Sequence, residues 1–275
     1  MVFSKFREDE RSGWGERAGL YADTTARATC QSIPALLASA NLFPDANVLD
    51  AGCGPGYVAG CASILGASCQ GVDFAPEMIA EARKRFPHIP FEVGDIQNLK
   101  VEDQSQDAVL SNIVLFHVTD PLKAMKEAHR VLKPGGAFAF SQWCGPAQSE
   151  CYQMLFGVLN AHADMSLADP APDAFRLSDP EQVSAMLREA EFSDITFENV
   201  SNVLYAPGPS FFDFFMRFGV RVPLILDRQQ PAVRDKIRQE VDKQAAYYFA
   251  DGHYRIPMPS LIVSARRPDA ANAGH

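Results

Sequence analysis

The segment Val48-Leu-Asp-Ala-Gly-Cys-Gly-Pro-Gly56 decides the fold of this 275-residue chain. Its apolar start is typical of a buried strand, and the strand runs directly into a loop with glycine at every second position. Because glycine has no Cβ, a ligand can approach the backbone of such a loop very closely. The segment therefore predicts a binding site at the end of the first strand.

A carboxylate follows the next apolar run. Asp73 lies seventeen residues after Gly56, at the end of Gly71-Val-Asp-Phe74. A carboxylate at that offset can accept both hydrogen bonds of a ribose hydroxyl pair. Together the glycine loop and Asp73 predict a nucleoside site, whereas a turn that merely joins a strand to a helix is the alternative interpretation of the loop alone.

The loop does not have the spacing of a phosphate-binding loop. Its order is Asp50-x-Gly-x-Gly-x-Gly56, so the third glycine comes one residue early and no lysine follows. The carboxylate of Asp50 beside the loop would repel pyrophosphate and favour a cationic ligand. This argues against a nicotinamide-dependent oxidoreductase, which is one alternative function.

Composition excludes several classes of protein. The net charge of −9 argues against a nucleic-acid substrate. No apolar segment approaches the roughly 18 residues that cross a bilayer, and the charged start is unlike a signal peptide. The six cysteines form no C-x-x-C pair and no zinc-like cluster. We therefore expect a cytoplasmic protein that binds no metal and no membrane. We also expect flexible tails over residues 1–12 and 268–275, approximately.

Strand and helix signals alternate along the chain, which predicts a doubly wound α/β sheet. Helices are expected directly after Gly56, at 76–86, 121–132, 149–165 and 178–190, and in an insertion at 208–250. The predicted strands are 48–50, 69–74, 91–95, 107–113, 137–142, 192–199 and 260–265. The whole of 1–275 is expected to form one domain.

Five segments in this order resemble the class I S-adenosylmethionine (SAM) methyltransferases, notably the ubiquinone/menaquinone type. They are Val48–Gly56, Gly71–Met78, Val93–Ile96, Asp107–Asn112 and Arg130–Gly136. The resemblance implies a Rossmann-like, seven-stranded, mostly parallel sheet with an antiparallel C-terminal strand. It also implies an N-terminal helical lid at 13–40, a SAM-binding core at 45–142, and helical and substrate-binding insertions with the last strands at 143–265.

The resemblance also implies which residues bind SAM and its product S-adenosylhomocysteine (SAH). Asp50, Ala51, Gly52 and Gly54 would hold the methionine portion, and Asn112 would offer its carbonyl to the ammonium group. Asp73 would hold the ribose. Four residues would contact the adenine: Phe74, Met78, Asp95 and Ile96. Core packing is the alternative role for Phe74, Met78 and Ile96. For Asp95 the alternative role is that of a helix N-cap. Tyr21 of the lid would contact the sulfonium, or simply pack.

His117 is the candidate general base, because it follows Asn112 in the loop that would face the transferred methyl group. An imidazole can accept a proton near neutral pH. A structural or substrate-orienting role for His117 is the alternative, and His162 and His253 are further candidates. An acceptor that is already ionised needs no base.

Phe211, Phe214, Phe215 and Phe218 repeat at helical spacing, so one face of that helix is aromatic. The stripe predicts either core packing or one wall of an apolar acceptor pocket. We therefore expect methyl transfer to a small apolar or aromatic metabolite, with a SAM-assisted cyclase or isomerase as the alternative. The sequence is compatible with a homodimer.

Overall fold

A computed structural model describes residues 3–269, in which ten strands form two sheets. The strands are β1 Asn47–Ala51, β2 Ser68–Asp73, β3 Phe91–Val93, β4 Gln106–Asn112, β5 Leu132–Trp143, β6 Ser193–Val200, β7 Val203–Pro207, β8 Phe249–Ala250, β9 His253–Pro257 and β10 Ser260–Arg266. The helices are α1 Ser4–Arg17, α2 Ala26–Thr29, α3 Ile33–Ala40, α4 Tyr57–Ile64, α5 Pro76–Arg85, α6 Pro121–Val131, α7 Glu150–His162, α8 Pro180–Glu189, α9 Phe211–Phe218, α10 Arg221–Asp227 and α11 Pro231–Ala245.

The larger sheet has the strand order β3-β2-β1-β4-β5-β10-β6. Strand β10 is antiparallel to both of its neighbours, while β1 to β5 pair in parallel. This confirms the predicted seven-stranded, mostly parallel sheet with an antiparallel C-terminal strand. The chain reverses its direction of winding between β1 and β4, and the carboxyl ends of strands at such a reversal leave a crevice for a ligand.

Alternating residues of the central strands enter two separate cores. Leu49 and Val109 pack with α6 and α8, whereas Val48 and Leu110 pack with α3, α4 and α5. Both faces of the sheet are therefore covered by helices, which explains why these strands are continuously apolar in sequence.

The N-terminal segment differs from the prediction. Helix α1 begins at Ser4, so the prediction of a flexible tail over residues 1–12 is wrong from Ser4 onward, and the N-terminal helical segment starts well before residue 13. The helix is mostly charged and has no clear apolar stripe, so its sequence gives little sign that it packs. It docks closely because Gly13 lacks a side chain, since a Cβ there would lie 2.5 Å from Val220 Cγ1. The remaining predicted tail residues 270–275 lie outside the described part of the chain.

The C-terminal insertion contains a second sheet that the sequence did not predict. Strands β7, β9 and β8 form a three-stranded antiparallel sheet in that order. They share a third core with α7, α9, α10 and α11. This core lies outside the segment predicted to bind a nucleoside, and it contains enough residues to form one side of a pocket. Within residues 3–269, the helices are all too short or too polar to cross a membrane.

Candidate active site

One large cavity lies at the carboxyl ends of β1, β2 and β4 and encloses about 1520 Å³, part of it open to solvent. Its lining combines polar residues near the strand ends with a group of aromatic residues. We call one end the cofactor half, lined by Asp50, Gly52, Gly54, Asp73, Phe74, Met78, Asp95, Ile96 and Asn112. The acceptor half is lined by Trp143, Tyr152, Phe156, Phe175, Phe215, Phe218 and Arg221.

The glycine loop after β1 forms the floor of the cofactor half. Gly52 has φ +78°, and a Cβ there would lie 2.3 Å from Val114 Cγ1, so both backbone and packing require glycine. At Gly54 a Cβ would meet no atom within 4 Å. The missing side chain of Gly54 thus leaves open space beside the backbone, as a ligand lying against the loop would need.

Asp73 is held by the same loop. Its Oδ2 accepts from the backbone N–H of Gly54 at 2.8 Å, and its Oδ1 accepts from the N–H of Ala75 at 2.9 Å. Each carboxylate oxygen has a second lone pair, so the group can still accept two hydroxyl donors. Burial raises the pKa of Asp73 to about 6.

Asp50 has an unused acceptor atom. Its Oδ2 accepts from the N–H of Ala59 at 3.0 Å, but its buried Oδ1 has no hydrogen-bond partner among the described residues. Burial raises the pKa of Asp50 to about 7. An unpaired buried carboxylate oxygen is costly unless a donor or a cation reaches it. Asp50 therefore keeps one unsatisfied acceptor atom beside the glycine loop.

Asp95 lies two residues after β3 and is engaged on both oxygens. Its Oδ1 accepts from the backbone N–H of Gln97 at 2.9 Å, and its Oδ2 lies 2.8 Å from Arg7 Nη2 of α1. No helix begins at Asp95, so the alternative role of helix N-cap is wrong. The carboxylate is only partly buried and lines the cavity beside Ile96.

Asn112 is fixed from two sides. Its Nδ2 donates to the carbonyl of Thr29 at 3.0 Å, and its Oδ1 accepts from Ser141 Oγ at 2.6 Å. The Tyr21 hydroxyl lies 3.3 Å from Thr29 Oγ1, so the lid and the end of β4 meet at Thr29. Burial raises the pKa of Tyr21 above its usual range, so its hydroxyl stays protonated.

The other predicted cofactor contacts divide into two groups. Phe74, Met78 and Ile96 line the cavity, and Met78 and Ile96 also belong to the buried core, so packing and ligand contact are compatible roles. Ala51 does not line the cavity. It is the last residue of β1, and its carbonyl accepts from Ser111 Oγ at 2.8 Å.

His117 is paired with a carboxylate that sequence analysis missed. Its Nδ1 lies 2.8 Å from Oε2 of Glu10, and the same oxygen accepts from Trp14 Nε1 at 3.0 Å. Glu10 is only 1% exposed, although it lies in the segment predicted to be a tail. Spacing offers one weak signal, because Glu10 and Trp14 are four residues apart and so share a helix face.

The alternative histidines are elsewhere. His162 ends α7 and His253 starts β9, and neither lines the cavity. No group of three or more His, Cys, Asp or Glu side chains suited to a metal ion occurs in the part of the chain that the structure describes.

The aromatic stripe of α9 packs in the core, as one of the two predictions has it. All four phenylalanines belong to the third core, and Phe215 and Phe218 also line the cavity, so a role in an acceptor wall stays a prediction. Trp143 at the end of β5 packs on Phe218, with ring centroids 6.5 Å apart.

Comparison with known proteins places the chain in a family. A family model described as a methyltransferase domain matches residues 49–140. A ubiquinone biosynthesis O-methyltransferase of Xanthomonas campestris is 30% identical over 171 residues, which are 60% of this chain and 69% of that protein. The chain therefore belongs to the class I SAM-dependent methyltransferases, as its five motifs predict.

Solved structures share the fold. The YcgJ protein from Bacillus subtilis has a TM-score of 0.58 at 19% identity, over 87% of this chain and 99% of that chain. The (4+2) cyclase SpnF has a TM-score of 0.54 at 21% identity, over 86% of this chain and 80% of that chain. Three other curated relatives, among them a demethylmenaquinone methyltransferase, are longer than the part that this chain matches. The chain covers only 36%, 61% and 37% of their lengths.

Proposed function

We propose that this protein transfers a methyl group from SAM to a small, apolar or aromatic acceptor. The observation that carries this proposal is the continuity of the two halves within one cavity. The cofactor half contributes three carboxylates, and the acceptor half is largely aromatic. A cationic donor and an apolar acceptor can therefore lie side by side.

The carboxylates suit the cofactor by charge and by hydrogen bonding. Asp73 would accept from the ribose hydroxyls, and Asp50 would face the cationic end through its unpaired Oδ1. Asn112 would accept from the ammonium group through Oδ1, beside the bond from Ser141. Bound SAM supplies an electrophilic methyl group on a sulfonium. The chain itself supplies orientation and exclusion of water, which contribute much of the acceleration in such reactions.

His117 is proposed to remove a proton when the acceptor is a neutral hydroxyl. A carboxylate can only accept, so the contact with Glu10 assigns the proton of the neutral imidazole to Nδ1. The lone pair of Nε2 is then free to take a proton from the acceptor. Glu10 acts through His117 as a positioning residue, because it fixes the tautomer and stabilises the imidazolium that forms.

The proposal is tested by incubating a metabolite extract with the protein and SAM that carries a labelled methyl group. Mass spectrometry should detect a metabolite that has gained the label, together with SAH. A metabolite that changes without gaining the label would favour the SAM-assisted cyclase or isomerase. Calorimetry with SAM, SAH and NAD(H) provides the prior check, since binding of NAD(H) alone would exclude the proposal.

A further inference from the structure

The acceptor half contains one positive charge that no carboxylate neutralises by direct contact. The cations lining the described cavity are Arg7 and Arg221, besides the titratable His117. Arg7 is paired with Asp95 at 2.8 Å. Within residues 3–269, Arg221 makes no salt bridge, and its hydrogen bond through Nη1 goes to the carbonyl of Pro172.

The neighbours of Arg221 along the chain are apolar. Val220 and Val222 on either side of it are buried and line the same cavity, as does Phe218. A guanidinium that is partly removed from water loses solvation, which a bound anion can replace. Burial accordingly lowers the pKa of Arg221, although the group remains charged at neutral pH.

Two carboxylates lie near enough to influence Arg221, but both are engaged elsewhere. Glu10 is bonded to His117 and Trp14, and Asp173 accepts from the backbone N–H of Phe175 at 2.9 Å. Arg176 does not line the cavity, donates to the carbonyl of Val118, and has Asp173 and Asp120 as its own nearby carboxylates. Because neither Glu10 nor Asp173 forms a salt bridge with Arg221, the remaining N–H donors of Arg221 can still bind an anion.

We propose that the methyl acceptor carries a carboxylate, or a comparable planar anion, that binds Arg221. The guanidinium has free N–H donors in a fork that matches a carboxylate in two parallel hydrogen bonds. The rest of the acceptor then lies against Phe215 and Phe218, and its nucleophilic atom faces the cofactor half. The proposal rests on the proposed function and narrows its acceptor to apolar or aromatic acids.

The test uses 2-naphthoate and its neutral isostere 2-naphthamide as probes, titrated by calorimetry with and without SAH. The acid offers Arg221 charge-assisted hydrogen bonds where the amide offers a neutral acceptor, so the acid should bind about tenfold tighter than the amide. Arg221→Gln should remove that preference. Arg217→Gln is the matched control, because Arg217 is exposed at the end of α9 and does not line the cavity.

The outcomes separate the two proposals. Normal SAH binding by Arg221→Gln, with an unchanged melting temperature, shows that the variant is folded and that the cofactor half is intact. Equal binding of acid and amide by the wild-type protein would overturn the anion site, as would a preference that survives in Arg221→Gln. Failure of the wild-type protein to bind SAH would instead overturn the proposed function.

Discussion

The two halves of the cavity are built in different ways. The cofactor half comes from the turns after β1, β2, β3 and β4, and backbone N–H groups of these turns hold its carboxylates, as in the bond from Gly54 to Asp73. The acceptor half comes from segments far apart in sequence, including β5, α7, α9 and α10. Helix α1 reaches the cofactor half through Arg7 and contacts His117 through Glu10. Local geometry thus defines the cofactor half, whereas tertiary packing defines the acceptor half.

The largest expected effect separates catalysis from cofactor binding. His117→Ala should lower turnover by about 10²–10⁴-fold, the usual contribution of a general base, because the acceptor proton then has no receiver. SAM affinity should change much less, since His117 is not among the predicted SAM contacts. Turnover is measured with labelled SAM and the extract-derived acceptor, and affinity by calorimetry. An undiminished rate would mean that the acceptor needs no base.

The second prediction concerns a variant that should lose cofactor affinity. Asp73→Ala should weaken SAM and SAH binding by about 10–100-fold, because charge-assisted hydrogen bonds to the ribose are lost. Glu92→Ala on the neighbouring strand β3 is the control, because Glu92 is exposed. If the affinity of Asp73→Ala equals that of the control, the ribose does not bind at Asp73.

The third prediction concerns pH. Burial raises the pKa of Asp73 to about 6 and that of Asp50 to about 7, both above the ordinary value of 3.8. The contribution of each group to the free energy of unfolding is therefore full below pH 3.8 and is lost as pH rises through its folded pKa. A cationic ligand favours the ionised form, so SAM should bind about tenfold tighter at pH 8 than at pH 5.5.

Calorimetry between pH 5.5 and 8 checks this dependence. In Asp50→Asn the change should be smaller, because Asp73 is then the one of these two carboxylates that still titrates. An affinity for SAM that does not vary with pH in the wild-type protein would show that the bound cation does not depend on either carboxylate.

The smallest effect tests the contact between α1 and the transfer site. Glu10→Gln should lower turnover about fivefold, because the side chain can still accept from His117 but no longer stabilises its charge. SAM affinity should not change. Glu8→Gln on the same helix is the control, since Glu8 is exposed and paired only with Arg11. NMR of labelled histidine adds a direct readout, because the proton on Nδ1 of His117 should become less populated in Glu10→Gln.

The sequence predicted the mostly parallel sheet, and it predicted that the glycine loop and Asp73 lie together, because their signals are local. Glycine spacing, the carboxylate after β2 and continuous apolar runs are each consequences of a short stretch of backbone. The sequence also identified Phe215 and Phe218 as candidates for the acceptor wall. It could not decide between core and wall, because the side of α9 that faces the cavity depends on how that helix packs.

Three features were missed for related physical reasons. Glu10 lies in a charged helix whose binding to the rest of the protein depends on Gly13 and on a buried hydrogen bond, neither of which gives an apolar pattern. The strands of the smaller sheet have only two to five residues each, too few for a clear alternation. Ala51 matches the family motif, but its carbonyl is used within the sheet and it does not reach the cavity.

The contacts of α1 have a kinetic consequence. The helix contacts Asp95 through Arg7 and His117 through Glu10, so it touches both the proposed cofactor site and the proposed base. We expect the donor to bind beneath this helix, and therefore to arrive before the acceptor and to depart after the methylated product. Steady-state measurements should therefore show a compulsory order, with SAH competing against SAM but acting as a noncompetitive inhibitor toward the acceptor.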